Sequence, residues 1–229
     1  RETEKLYKQK KKELIKFGYL KLNKNKENIK IIKKHKKNKK IINVLIAPSW
    51  GKNCLFETGA DDLIEYLSNQ NFRITLRPHP DTIKKNPLSI ENLLSKFKDN
   101  KRIIYNPKIS SIQSYFENDI LISDWSGSAF EFAFGTLKPV IFIDLPKKIN
   151  NKNYYLLKNT PVEINMRNSV GKVIKKNNFH EIAKTIKTMI KDKNKWKKRL
   201  LHLRYQKIYN LKKSGKIGGD FILKCLKTN

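Results

Sequence analysis

Residues 120–134 read ILISDWSGSAFEFAF. Ile120 to Ser123 is a short apolar run of strand length, and Ala129 to Phe134, carrying Phe130 and Phe134, reads as a helix packed on a sheet. Between them Asp124-Trp125-Ser126-Gly127-Ser128 leaves room only for a tight turn. A buried strand that turns at once into a helix is the repeating unit of a parallel sheet with crossover helices.

The same texture extends in both directions. Upstream, Ile42 to Ala47 reads as a buried strand, Asp61 to Ser68 as a helix, Phe72 to Leu76 as a strand, Ile90 to Phe97 as a helix, Arg102 to Tyr105 as a strand and Ser110 to Phe116 as a helix. Downstream, Val140 to Ile143 is a further strand. The expected fold is therefore α/β, a Rossmann-like doubly wound domain with five parallel strands, over residues 41–229. After Pro146 comes a loop rich in Asn and Lys, then a short segment at Val162 to Ile164. C-terminal helices from about residue 178 follow, at Phe179 to Lys191 and Trp196 to Asn210. Gly215, Gly218 and Gly219 punctuate the tail before a last apolar turn at Phe221 to Leu226. Residues 1–40 read as a basic helical linker, because Leu6, Leu14, Ile15 and Tyr19 give only a thin apolar stripe among lysines. Within it, Lys33 to Lys40 is a basic run in which His35 is expected to face solvent.

Length and composition bound the function. The 229 residues suit one domain plus an extension. Lys+Arg number 51 against 20 Asp+Glu, a formal charge of +31. That excess leaves two readings open, a selected anion-binding face or a compositional excess on a solvated one, and the scarcity of Arg weakens the first. Nucleic-acid binding predicts base-stacking aromatics interleaved with basic residues, whereas the aromatics here occupy core-like positions, so nucleic acid is not the expected partner. No run of ~18 apolar residues is present to span a bilayer. The start at Arg1 carries no apolar signal segment, and Cys54 and Cys225 form neither a disulfide framework nor a zinc pattern. A reducing, cytoplasmic setting is expected, with no metal site and no cofactor.

In an open α/β sheet the ligand crevice lies beyond the carboxyl ends of the strands. Three such ends carry unusual chemistry: Ala47-Pro48-Ser49-Trp50-Gly51, Arg77-Pro78-His79-Pro80 and the 123–128 turn. Ser126, Gly127 and Ser128 fall at a helix N-terminus, where unpaired N–H groups, the positive end of the dipole and two hydroxyls suit a phosphate or diphosphate. The plainer alternative makes Ser126 or Ser128 an N-cap and Asp124 a turn residue. The turn is neither a Walker loop nor a Gly-x-Gly-x-x-Gly turn. His79, flanked by prolines after a strand and beside Arg77, reads as an aimed imidazole, with a structural histidine as the alternative. Glu131 lies just over one helical turn from the cradle, within range of a ribose hydroxyl, and equally suits a carboxylate stabilising the helix dipole.

Taken together, Phe17-Gly-Tyr-Leu-Lys-Leu-Asn23, Ala47-Pro-Ser-Trp50, Arg77-Pro-His-Pro80, Ser123-Asp-Trp-Ser-Gly-Ser-Ala-Phe-Glu-Phe132 and Lys138-Pro-Val-Ile-Phe142 resemble the CDP-glycerol glycerophosphotransferase family of teichoic-acid and capsule polymerases. That family is of the GT-B type, so the resemblance implies that this chain is the C-terminal, donor-binding half with its linker. It also implies that an N-terminal acceptor-side domain is missing and that this chain alone binds donor without turnover. Residue by residue, it makes His79 a catalytic participant at the donor pyrophosphate and Ser126, Gly127 and Ser128 the pyrophosphate cradle. Asp124 and Glu131 would position the turn and the ribose, Arg77 and Lys138 would offset phosphate charge, and Ser49 and Trp50 would line the cleft. The implied reaction is attack of an acceptor hydroxyl on the β-phosphate of a CDP-activated polyol donor, with release of CMP. The implied acceptors are lipid-linked or polymeric, at the inner face of the cell membrane, where the lysines would meet an anionic surface. The chain has Asp-Trp-Ser-Gly where the family commonly has Asp-Tyr-Ser-Ser, and Glu131 where it has Asp. CDP-glycerol, CDP-ribitol and a nucleotide sugar for a capsule polymer therefore stay open as donors, beside a non-catalytic basic membrane- or nucleic-acid-binding module.

Overall fold

The computed structural model describes residues 2–22, 41–107, 113–149 and 151–227. The basic run Lys33 to Lys40 with His35, Asn23 and the start of the helix expected from Ser110 lie outside them. Six strands, β1 Ile42–Ile46, β2 Phe72–Leu76, β3 Ile103–Tyr105, β4 Ile120–Ser123, β5 Val140–Asp144 and β6 Gly171–Lys175, form one parallel sheet in the order β3-β2-β1-β4-β5-β6. Ile46 pairs with Leu76 on one side and Ile122 on the other, so β1, β2 and β4 end nearly level. Between β1 and β4 the winding reverses, which opens the crevice of a doubly wound sheet at their carboxyl ends.

Among the described residues the α-helices are α1 Glu2–Leu6, α2 Asp61–Asn69, α3 Pro80–Lys85, α4 Pro87–Lys96, α5 Gln113–Glu117, α6 Ser128–Thr136, α7 Val162–Asn165, α8 Arg167–Val170, α9 Phe179–Lys191, α10 Lys193–Lys207 and α11 Ser214–Lys227. Strand alternation divides the core. Val44, Ile46, Ile120, Ile122, Ile141 and Ile143 point to the face covered by α2, α4 and α9, through Leu63, Leu67, Ile90, Ile186 and Met189. Leu45, Leu121, Val140 and Phe142 point to the other face, against Tyr115, Phe132 and Leu200. Burial on both faces is why the central strands read as unbroken apolar runs.

Three differences from the sequence reading have physical causes. A sixth strand, β6, at the edge of the sheet, carries exposed lysines at 172 and 175, so its apolar signal is only Val173 and Ile174. Helix α3 begins directly after His79, with Pro80 in its first turn, where proline costs no hydrogen bond. The tail glycines lie inside α11 rather than before a final turn. A Cβ on Gly218 would come 2.2 Å from the Phe17 ring, so the glycine lets the leading segment pack on this helix. Gly18, with φ +104°, sits where a side chain would meet the Tyr209 carbonyl and Ser214. Gly218→Ala is expected to lower stability by ~1–3 kcal/mol through displacement of Phe17. An unchanged urea midpoint would mean that this contact contributes nothing.

Candidate functional site

The crevice between β1 and β4 holds a cavity of 280 Å³ lined by Lys21, Ala47, Pro48, Arg77, Pro78, His79, Pro80, Tyr115, Ser126, Gly127, Ser128 and Glu131. This is near the lower end of the ~300–1,000 Å³ range of small-ligand sites. Its walls come from the loop after β1, the β2–α3 junction, the start of α6 and the leading segment. A larger open depression of 670 Å³ lies among Glu65, Ser68, Lys96, Asp99 and Arg102. There Lys96 pairs with Asp61 at 3.3 Å and Glu65 at 3.1 Å, and Arg102 donates to the Ser68 carbonyl.

His79 is the N-cap of α3, and its Nδ1 accepts the Asp81 backbone N–H at 3.1 Å. With Nδ1 so used, the neutral ring carries its proton on Nε2, which is then the donor. Burial pushes the imidazole below its ordinary pKa; Asp81 opposes this, and the Lys148 and Lys85 ammonium groups reinforce it. The Trp50 ring stands beside it, 6.1 Å between centroids. Arg77 is buried, donates to Ser114 Oγ at 2.8 Å and stacks over the Tyr115 ring at 4.3 Å.

Across the cavity, Gly127 is the N-cap of α6 and makes no side-chain cap bond. The Ser126 and Ser128 hydroxyls share a hydrogen bond of 2.8 Å, and Ser126 Oγ also accepts the Ser128 N–H at 3.3 Å. A Cβ built on Gly127 meets nothing within 4 Å, so at this lining position the glycine keeps space open rather than relieving a clash. The N–H groups of Ser128, Ala129, Phe130 and Glu131 already donate to Ser126 and Gly127, against the unpaired donors expected from the sequence. The positive end of a nine-residue helix, the Ser126–Ser128 hydroxyl pair and a facing imidazole remain as the features suited to a phosphorylated ligand.

Asp124 acts beneath this surface. Its carboxylate is buried and accepts the Ser49 N–H at 2.6 Å and the Leu55 N–H at 3.0 Å, tying the end of β4 to the loop after β1. Ser123 Oγ makes a parallel tie to the Ala47 carbonyl at 2.8 Å. Hydrogen bonds to a buried charge contribute ~1.5–3 kcal/mol each. Asp124→Ala is accordingly expected to cost at least ~2 kcal/mol in chemical denaturation. A variant as stable as the parent would show that the loop is held by something else.

Of the residues singled out from the sequence, His79, Arg77, Ser126, Gly127, Ser128 and Glu131 meet around the cavity. Trp50 adjoins it through His79. Asp124 and Ser49 lie behind it, joined to each other; the Ser49 Oγ is buried without a hydrogen-bond partner among the described residues. Lys138 is not brought to the cavity. Its Nζ donates to the carbonyls of Phe116 and Asn118, and burial pushes its ammonium down to about 8.

Two lining residues escaped the sequence reading, Lys21 and Tyr115. Lys21 donates to Glu131 Oε1 at 2.8 Å, and the Tyr19 hydroxyl donates to the same oxygen. Burial, then the Glu131 carboxylate, pushes the Tyr19 phenol up to about 12. The leading segment thus seals one side of the cavity and engages Glu131. Among the described residues, no group of three or more His, Cys, Asp or Glu is arranged to hold a metal ion, and no helix is long and apolar enough to cross a membrane.

The sequence model of the family described as CDP-Glycerol:Poly(glycerophosphate) glycerophosphotransferase matches residues 2–216. Over 95 residues the chain is 34% identical to the Minor teichoic acid biosynthesis protein GgaB of Bacillus subtilis (strain 168), which covers 41% of this chain and 10% of that protein. Among solved structures, a variant of the wall teichoic acid polymerase TagF superposes with a TM-score of 0.54 at 17% identity, over 93% of this chain and 52% of that one. The same polymerase soaked with CDPG gives 0.55 at 18%, over 93% and 51%. MurG of Acinetobacter baumannii gives 0.50 at 15%, over 89% and 55%. At these identities the structural likeness shows the fold, a GT-B-type Rossmann-like domain. The chain spans about half the length of these structures, and the 95 matched residues a tenth of the curated relative.

Proposed function

The chain belongs to the CDP-glycerol:poly(glycerophosphate) glycerophosphotransferase family, and from that premise we propose that its cavity is the donor site of a transferase in teichoic-acid synthesis. The substrate is a CDP-activated polyol, CDP-glycerol in the first instance, and the product carries one more polyol phosphate unit. The observation that carries this reading is the meeting of His79 with the Ser126–Ser128 turn around one cavity at the switch point of the sheet.

In this reading the diphosphate lies on the start of α6, with the Ser126 and Ser128 hydroxyls and the Gly127 backbone as donors. An acceptor hydroxyl attacks the β-phosphorus and gives up its proton to solvent, and the bond to the bridging oxygen breaks to release CMP. Negative charge grows on the departing phosphate. A neutral His79 donates a hydrogen bond from Nε2 to that charge, so its role is electrostatic stabilisation rather than proton delivery. Arg77, held by Ser114 and Tyr115, adds fixed positive charge without having to reorganise. Asp124, Ser49 and Lys138 hold the loops, and Lys21 and Tyr19 keep Glu131 in position for the donor's ribose.

An acceptor-side domain completes the enzyme in this reading, in keeping with a chain that spans about half of its structural relatives. The acceptor is lipid-linked or polymeric, and the +31 charge favours peripheral attachment to an anionic membrane face, at about 1 kcal/mol per well-placed base. The protein carrying this domain should release CMP from CDP-glycerol when given a glycerol phosphate primer. Release of UDP from UDP-N-acetylglucosamine, with CDP-glycerol untouched, would replace this reading by that of a sugar transferase.

The neutral state of His79 has its own test. Its pKa followed by NMR is expected below 6.5. It should rise in Lys148→Gln, because removing a neighbouring cation makes protonation easier. A fall or no change would show that Lys148 does not act on the ring.

A further inference from the structure

We infer that Lys85, Lys148 and Trp50 form a second phosphate subsite at the rim of the cavity, holding a phosphodiester of the acceptor polymer rather than the donor's diphosphate. This rests on the transferase reading above. Three segments far apart in sequence converge there: the loop after β1, the end of α3 and the stretch after β5. Lys85 Nζ lies 4.0 Å and Lys148 Nζ 4.7 Å from the centroid of the Trp50 ring. Lys148 also donates to the Trp50 carbonyl, so its ammonium is anchored rather than free to wander.

The Trp50 ring attracts each ammonium, while the two like charges repel each other, and an anion bound between them would relieve that repulsion. Asp81, 3.9 Å from Lys85, offsets part of that charge. Both lysines still act on His79 as net positive neighbours. The Trp50 ring adds a flat apolar surface suited to the carbon chain of a polyol.

Position separates this subsite from the donor's. Neither lysine lines the cavity, and Trp50 adjoins it only through His79. In a glycerol phosphate chain the terminal hydroxyl is three carbons from its own phosphodiester. A phosphodiester held by Lys85 and Lys148 would therefore bring that hydroxyl beside His79, on the approach to the β-phosphate.

The test is calorimetric titration of the chain and of a Lys85→Gln/Lys148→Gln variant with a short synthetic oligo(glycerol phosphate) and, separately, with CDP-glycerol, at physiological ionic strength. The double variant is expected to lose at least about tenfold in affinity for the oligomer and to keep its affinity for CDP-glycerol. Equal losses for both ligands would assign the lysines to the donor and overturn the inference, as would oligomer binding that ignores the substitutions or is absent from the parent chain. If the oligomer behaves as expected while CDP-glycerol fails to bind, the donor reading falls and the anion subsite stands.

Discussion

Replacing His79 by Asn should reduce turnover by ~10²–10³-fold, the usual consequence of removing one preorganised hydrogen-bond donor from a developing oxyanion. The choice of residue matters because His79 has two jobs. Its Nδ1 caps α3 by accepting the Asp81 N–H, while Nε2 is the donor assigned to the phosphate. Asparagine is a good N-cap and its Oδ1 can take over the first bond, but it has nothing at the position of Nε2. His79→Asn should therefore unfold within about 1 kcal/mol of the parent and lose its rate in kcat more than in affinity for the donor. His79→Ala should lose the same rate and also ~0.5–2 kcal/mol of stability, the cost of an unfilled cap. If His79→Asn turns over like the parent in the protein carrying this domain, the imidazole is structural and the proposed chemistry fails.

A comparably large effect is expected on binding at Gly127. The residue has φ −60° and ψ −25°, which any amino acid adopts, and a Cβ there touches no protein atom. Nothing in the fold requires glycine, whereas a diphosphate resting on the start of α6 does. Gly127→Val should change stability by less than ~1 kcal/mol and weaken CDP-glycerol by at least about 100-fold, or roughly 2.7 kcal/mol. Gly127→Ala should move affinity in the same direction by less. Parent-like affinity in a folded Gly127→Val chain would mean that no ligand approaches this backbone.

The central sheet was legible because β1, β4 and β5 contain consecutive buried apolar residues, and β2 alternates buried Phe72, Ile74 and Leu76 with Arg73 and Thr75, patterns that amphipathic helices do not produce. Edge strand β6 was not, since only Ile174 of its side chains is fully inside while Lys172 and Lys175 face water. The chemistry of the site was legible where it follows a strand end directly, as at His79 and Ser126–Ser128. It was not legible where a residue arrives from elsewhere. Lys21 reaches Glu131 across 110 positions, and Lys138 looks like a phosphate ligand by sequence but is spent on two carbonyls. The glycines of α11 were misread for a related reason. Local rules treat glycine as a helix breaker, but Gly218 serves a contact with Phe17 from the opposite end of the chain.

The most direct test of the donor site is calorimetric titration of the chain with CDP-glycerol, CDP-ribitol, UDP-N-acetylglucosamine and CMP at two salt concentrations. Binding of a CDP-polyol that persists at the higher salt and is abolished by Ser126→Ala/Ser128→Ala is expected. A folded chain that binds none of the four, or binds them all equally and only at low salt, would contradict a donor site in this cavity.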